Sequence, residues 1–309
     1  MNFLSDFQQY YEQNVRAYEA LWKQQQYFYE RKVKDKRIVV GISLAVVFIL
    51  FMFSKSWIWA LVALIIIGLL VSSERKDKSI YVNKMKEEVV RPAIRKCYSR
   101  FSYSIQGVSE ETFRESNMYY DYDKFTSSDM ITGKSDDREF VISEITLTEK
   151  DFPDDPDSMA YEVFHGAFIK MEANYSLSKP IYIEPNVQNK KLDLTLMIMK
   201  KAFGVDIKAL ELENEEFSKA FKIYFQDDKE ANNILTKDFM DKFLKIRNRY
   251  NAKMYFAFQQ NNIYVLVSNL EIVDVDDVYD NGISKSTLYG NLKVIQDIMD
   301  LAESVATKE

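Results

Sequence analysis

IVVGISLAVVFILFMFSKSWIWALVALIIIGLLV, residues 38–71, decides how the rest of the chain is read. Ile38 to Phe53 carries no charge and one hydroxyl, that of Ser43, while Trp57 to Val71 carries neither. Between the two runs stands Ser54-Lys55-Ser56, a polar break. Soluble helices keep a polar face and these runs have none, which argues against the buried hairpin of a soluble core. One helix through both runs would measure about 50 Å, too long to cross a bilayer once, so the break reads as a turn and the stretch as a transmembrane helical hairpin. Each arm covers only about 24 Å of a hydrocarbon core of about 30 Å. Lys34, Lys36 and Arg37 are placed to complete the span by snorkelling. Arms this short also fit a re-entrant hairpin that dips in without crossing.

The flanks set the orientation. Arg31, Lys32, Lys34, Lys36 and Arg37 precede the first arm, Arg75, Lys76 and Lys78 follow the second, and only Lys55 sits at the turn. The positive-inside rule then places both termini in the cytoplasm, giving a multi-pass protein of the cytoplasmic (inner) membrane. Trp57 and Trp59 suit an interfacial aromatic belt. Arg37, Lys55, Trp57, Trp59 and Arg75 are therefore the expected membrane-anchor residues.

Charge is divided along the chain. Residues 1–100 hold 17 Lys and Arg against 9 Asp and Glu, which leaves 24 against 38 for the rest. An acidic distal region is a poor match for nucleic acid, and anionic lipid would repel it at close range. A single cysteine, Cys97, excludes an intramolecular disulfide and a four-cysteine zinc site, in keeping with a reducing compartment. The first apolar run lies behind a long polar segment, so it reads as an uncleaved anchor and not as a secretory signal.

Four regions follow from these patterns. Residues 1–37 form an N-terminal amphipathic helix and basic flank. Phe3, Phe7, Tyr10, Tyr11, Tyr18, Leu21 and Trp22 recur at helical spacing. Three uses compete for this helix: packing on the helix after the hairpin, a coiled coil with another protomer, or lying on the membrane surface. Residues 38–71 are the hairpin. Residues 72–106 read as a stalk helix that Pro92 kinks, with Arg91, Arg95, Lys96 and Arg100 forming a solvated face or touching lipid phosphates. Residues 107–309 form a cytoplasmic α+β domain with a mainly antiparallel sheet flanked by helices.

Within that domain Ser109, Asn214, Asp227 or Asp228, and Thr236 are placed to cap helices. Strands are expected around Phe140–Leu147, Val163–Tyr175, Lys179–Glu184, Asp206–Glu213 and Ile223–Phe225. Met254–Phe258 and Ile263–Val267 make a hairpin through Gln-Gln-Asn-Asn. Leu288, Leu292, Ile295, Ile298, Leu301 and Val305 mark a closing amphipathic helix.

Several ordered segments carry a resemblance. Asp121-Tyr-Asp123, Asp129-Met-Ile-Thr-Gly133, Ser143-Glu144, Val163-Phe-His-Gly-Ala-Phe168, Glu211-Leu-Glu-Asn-Glu-Glu-Phe217 and Asp228-Lys-Glu-Ala-Asn-Asn-Ile-Leu-Thr236 occur in that order. Together they resemble a bacterial membrane-protein family known only as a domain of unknown function, numbered thirty-one thirty-seven, over roughly residues 75–305. The resemblance implies a fold unit and a two-helix topology, and no activity.

Chemistry-bearing residues are sparse. His165 is the one histidine, and on a strand next to Gly166 it reads as structural. Asp151, Asp154, Asp155 and Asp157 are candidate ligands for a hard cation, weighed against a solvated acidic loop that lacks the glycine and closing glutamate of an EF-hand. Asp274, Asp276, Asp277 and Asp280 form a second such cluster, and Met197 and Met199 read as core. No phosphate-cradling glycine loop occurs, and no cofactor is expected. Tyr119, Tyr120, Tyr122 and Phe125 are candidates for a partner-binding surface or for domain core. The expected function is a membrane-anchored, non-enzymatic protein-binding or scaffold module whose partners are the lipid bilayer and another protein or a second copy. The alternatives are a carboxylate-dependent ligand- or metal-binding domain or enzyme, and an oligomeric membrane pore.

Overall fold

The computed structural model describes residues 3–118, 122–135, 137–151, 158–186, 214–273 and 285–306. They divide into two units, one running up to Cys97 and the other built from Tyr98–Val273 with the closing helix from Tyr289.

The first unit is a long antiparallel helical hairpin. Helix α1, Phe3–Ser54, is continuous, so the N-terminal segment and the first apolar arm are one element of 52 residues, about 78 Å long. Nothing before Gly41 breaks a helix, since residues 3–40 contain neither proline nor glycine. The turn falls where Ser54-Lys55-Ser56 places it: Lys55 takes a left-handed backbone, φ 50°, and its amide donates to Phe51 O at 2.7 Å. Helix α2, Ile58–Met85, returns from it. A π-helical turn over Lys86–Val90 separates α2 from α3, Arg91–Cys97. Pro92 has no amide to give the i−4 carbonyl of Glu88, and widening the preceding turn accommodates its ring. The irregularity therefore precedes the proline.

The N-terminal segment packs on the helix after the hairpin, one of the three uses open to it. The Tyr29 and Tyr81 rings lie 5.7 Å apart, α1 touches α3, and Tyr10 is buried. The stalk helix expected to reach residue 106 ends at Cys97, because Phe101–Gln106 is a strand. Phe101, Tyr103 and Ile105 alternate with polar residues there, which is a period-2 pattern.

The second unit is α+β. Among the described residues eight strands form one fully antiparallel sheet: β1 (Phe101–Gln106), β2 (Lys124–Ser135), β3 (Arg138–Lys150), β4 (Ala160–Glu172), β5 (Ile181–Pro185), β6 (Phe221–Tyr224), β7 (Met254–Gln259) and β8 (Asn262–Ser268). Their order is β1-β2-β3-β4-β8-β7-β5-β6. The helices are α4 (Glu110–Arg114), α5 (Glu215–Ala220), α6 (Asp228–Ile234), α7 (Lys237–Tyr250) and α8 (Lys285–Ala306). Four caps sit where the sequence sets them: Ser109, Asn214, Asp227 and Thr236 accept from the amides of Thr112, Phe217, Glu230 and Phe239. The expected strand at Asp206–Glu213, the Met197 and Met199 pair and the cluster Asp274 to Asp280 lie outside the described residues.

Both faces of the sheet are covered, so in β7 the run Met254–Phe258 is apolar and buried throughout instead of alternating. On one face Phe113 of α4 meets Phe168 at 5.5 Å, within a core that includes Ile145, Leu147, Phe164 and Leu266. On the other, Phe239 of α7 lies 5.2 Å from Phe256, and Phe217, Phe221 and Phe243 complete an aromatic cluster.

The segments that carry the family resemblance hold this sheet together. Asp129 sits in a β-bulge, φ 52°, where the β2–β3 register shifts between Ser128 and Ile131, and the Tyr103 hydroxyl donates to its buried carboxylate. The buried Ser143 hydroxyl donates to Ser128 O at 2.9 Å and accepts from the Val108 amide at 3.1 Å, pinning the bulge from β3. At Gly166, φ 153°, a Cβ would stand 2.1 Å from Val267 O, so only glycine lets β8 lie this close to β4.

Candidate membrane-interface site

The charged end of the helical hairpin is its most organised polar feature. Lys32 and Lys36 lie four residues apart on one face of α1, and Ser73 and Asp77 lie four apart on α2. Lys32 Nζ donates to Asp77 Oδ1 at 2.7 Å, Lys36 Nζ donates to the other Asp77 oxygen, and Lys36 also reaches Ser73 Oγ at 2.5 Å. The Asp77 side chain is only 8% exposed. A carboxylate that buried is tolerated because two ammonium groups compensate it. Beside it Arg37 makes a two-pronged contact to Glu74, Nε to Oε1 at 2.8 Å and Nη2 to Oε2 at 3.0 Å. These pairs sit at nearly equal distances in sequence from Lys55, so they set the register of the two arms.

Toward the turn the chemistry changes to hydrocarbon. Both helices are long and apolar enough to cross a membrane by length and composition. Away from the contact between the two helices their apolar side chains face outward: Phe48 is 63%, Phe53 85%, Leu64 65% and Leu69 66% exposed. At the turn Trp57 is also exposed, and the Trp59 indole donates to Ser54 Oγ at 2.7 Å. Lys55 and Arg75 are exposed. Where the charged end meets the apolar arms, a groove of about 630 Å³ opens between α1 and α2. Arg31, Lys32 and Lys36 rim it, and Val40, Ile66, Leu69 and Leu70 line it.

Of the anchor residues read from sequence, the structure joins Arg37 to Glu74 and leaves Lys55, Trp57, Trp59 and Arg75 at or near the hairpin ends. Glu74 and Asp77 were not singled out by sequence reasoning. The signal available for them was a pair of acids standing as far after the Ser-Lys-Ser break as the basic cluster stands before it. Arg91 makes an i,i+4 ion pair with Glu87 at 2.7 Å, and Arg95 and Lys96 are exposed, which fits the solvated-face reading of that cluster.

The remaining candidates are dispersed. Tyr122 and Phe125 pack against the core, with ring centroids 5.9 Å and 5.4 Å from Phe113, and the Tyr122 hydroxyl donates to Glu110 at 3.1 Å. Burial first, and then that hydrogen bond, push the Tyr122 phenol up to about 12. Tyr119 and Tyr120 lie outside the described residues. Asp151 is exposed, its amide bonded to Met159 O, while Asp154, Asp155 and Asp157 lie outside the described residues. Among the described residues no group of three or more His, Cys, Asp or Glu is placed to hold a metal. His165 Nδ1 shares a hydrogen with Thr146 Oγ1 at 2.9 Å across the β3–β4 ladder, and its Nε2 stands 3.8 Å from Glu271 and 4.0 Å from Glu144.

Residues 162–306 match the family described as Protein of unknown function (DUF3137), the family that the ordered segments resemble. The match starts at β4, later than the residue 75 at which the resemblance begins. Among curated proteins no relative matches the chain. A solved structure, the crystal structure of the mycobacterial trehalose monomycolate transport factor A, TtfA, aligns at 10% identity over 65% of this chain and 86% of its own, with a TM-score of 0.33. At that score the likeness defines neither a shared fold nor a shared function.

Proposed function

We propose that the chain is a hairpin-anchored protein of the cytoplasmic membrane, with both termini and the α+β unit on the cytoplasmic side. That unit acts as a non-enzymatic module that binds a protein partner at the inner face. The observation that carries the anchor is the outward exposure of apolar side chains around both arms, which water would penalise by about 25 cal/mol for each Å² and hydrocarbon would not. The excess of basic over acidic residues flanking the arms at one end supports the orientation. The acidic balance of residues beyond 100 favours a protein partner over a phosphate-rich one.

Two measurements test this reading. In a Cys97→Ser background, a Lys55→Cys variant is labelled by a membrane-impermeant maleimide from outside intact cells if the hairpin crosses. Labelling only after lysis replaces the crossing hairpin with a re-entrant one. Cross-linking and mass spectrometry of the gently extracted full-length protein, beside a hairpin-deleted control, are expected to capture a reproducible protein through residues 107–309. Recovery of self-contacts alone would replace the partner-binding module with an oligomeric assembly.

A further inference from the structure

We infer that the groove between α1 and α2, at the charged end of the hairpin, binds one anionic phospholipid. Its phosphate sits at Arg31, Lys32 and Lys36, and an acyl chain lies along Val40, Ile66, Leu69 and Leu70. The inference rests on the membrane-anchored reading and adds a specific ligand to it.

Three observations converge on that occupant. The rim carries three cations against one carboxylate, Asp35. Asp77, buried behind the rim, takes one hydrogen bond from each lysine and so fixes both ammonium groups in place. An ammonium has three donors, so Lys32 keeps two for a phosphate oxygen after serving Asp77, and Lys36, which also serves Ser73, keeps one. The lining then turns from charged to apolar along the helix axis, from Arg31 and Lys32 to Val40 and Leu69, in the order in which a phospholipid turns from headgroup to chain. A soluble anion would meet the cations and leave the apolar part of the groove empty. An uncharged lipid would fill the apolar part and leave unmet the positive charge by which Arg31, Lys32 and Lys36 exceed Asp35 and Asp77. One anionic amphiphile satisfies both parts, and the groove lies at the depth where the apolar arms begin, which is where headgroups meet acyl chains.

The test uses the full-length chain reconstituted into phosphatidylcholine vesicles with and without phosphatidylglycerol, extracted in mild detergent and weighed by native mass spectrometry. Phosphatidylglycerol is expected to remain bound in preference to phosphatidylcholine. Arg31→Gln, which removes a rim charge that has no part in the Asp77 ion pairs, is expected to lower that retention about fivefold. Leu70→Trp, which fills the apolar part and leaves the rim charged, is expected to abolish retention of either lipid. Equal retention of the two lipids, or retention unchanged in both variants, overturns the site while the anchor stands. A dimer mass without bound lipid also overturns it, giving the groove to a second copy. Failure of the chain to float with either vesicle overturns the anchor, and the site falls with it.

Discussion

The Tyr250 hydroxyl donates to the Asp297 carboxylate at 2.8 Å, joining the last turn of α7 to the middle of α8. The same carboxylate oxygen accepts from Arg249, and the other takes Lys293 at 2.8 Å. Burial pushes the Asp297 carboxyl up, but the bonds from Lys293, Arg249 and Tyr250 together outweigh it and hold the group below the usual carboxylate range. One acid thus ties α7 to α8.

Asp297→Asn is therefore expected to lower stability by about 1–2 kcal/mol at neutral pH, a figure reduced because Arg249 and Lys293 are more than a third exposed and can rehydrate. The sign of the pH dependence follows from the lowered folded-state pKa. The stabilisation is present above the ordinary value of 3.8 and is lost as pH falls through the lower folded value. Urea midpoints of the two proteins should differ at pH 7 and converge in acid. A constant difference down to pH 2 would contradict this account.

Gly166→Ala is expected to disrupt the β4–β8 ladder. The added methyl would meet the Val267 carbonyl, which is backbone and cannot swing aside. A loss on the order of 3 kcal/mol is expected, large enough to show as proteolysis of the second unit under conditions that leave the parent intact.

Phe125→Ala is expected to cost about 2 kcal/mol, less than for a fully buried phenylalanine because its ring is only partly covered. Tyr122→Phe removes only the bond to Glu110 and is expected to cost about 0.5–1 kcal/mol. Thermal unfolding of the two variants separates the core role of these rings from a partner-binding one. Loss of partner capture in Tyr122→Phe at unchanged stability would favour the surface.

At the hairpin base, Asp77→Leu leaves two ammonium groups facing each other where one carboxylate had compensated both. The register of the arms is then held by Arg37 and Glu74 alone among the pairs described above. The expected loss is about 1–3 kcal/mol, and in a Cys97→Ser background disulfide trapping between cysteines placed at facing positions of α1 and α2 outside these ion pairs should fall in this variant. Efficient trapping in both proteins would show that apolar packing alone sets the register.

Much of the chain is legible without the structure where a local rule is sufficient. The turn at Ser54-Lys55-Ser56 follows from charge in an apolar run, and the caps at Ser109, Asn214, Asp227 and Thr236 follow from short side chains that reach a nearby amide. The β7–β8 hairpin follows from two apolar runs separated by a short polar loop. Strand β2 was not expected, because Lys124–Ser135 is polar and interrupted by the Asp129 bulge, which removes the alternation that marks a strand. In sequence, strand β1 reads as part of the stalk, since six residues after a helix are too few to announce a change of period.

What the sequence determined by itself is the helical hairpin, its polar break and the α+β character of the distal region, because each depends on neighbours along the chain. What only the tertiary structure decided is the compensation of Asp77 by Lys32 and Lys36, the groove beside it, the strand order β1-β2-β3-β4-β8-β7-β5-β6, and the use of Tyr122 and Phe125 against Phe113. These depend on which residues meet across dozens of intervening positions, and the free energy that selects such meetings comes from burial and charge pairing in three dimensions, which no local pattern records.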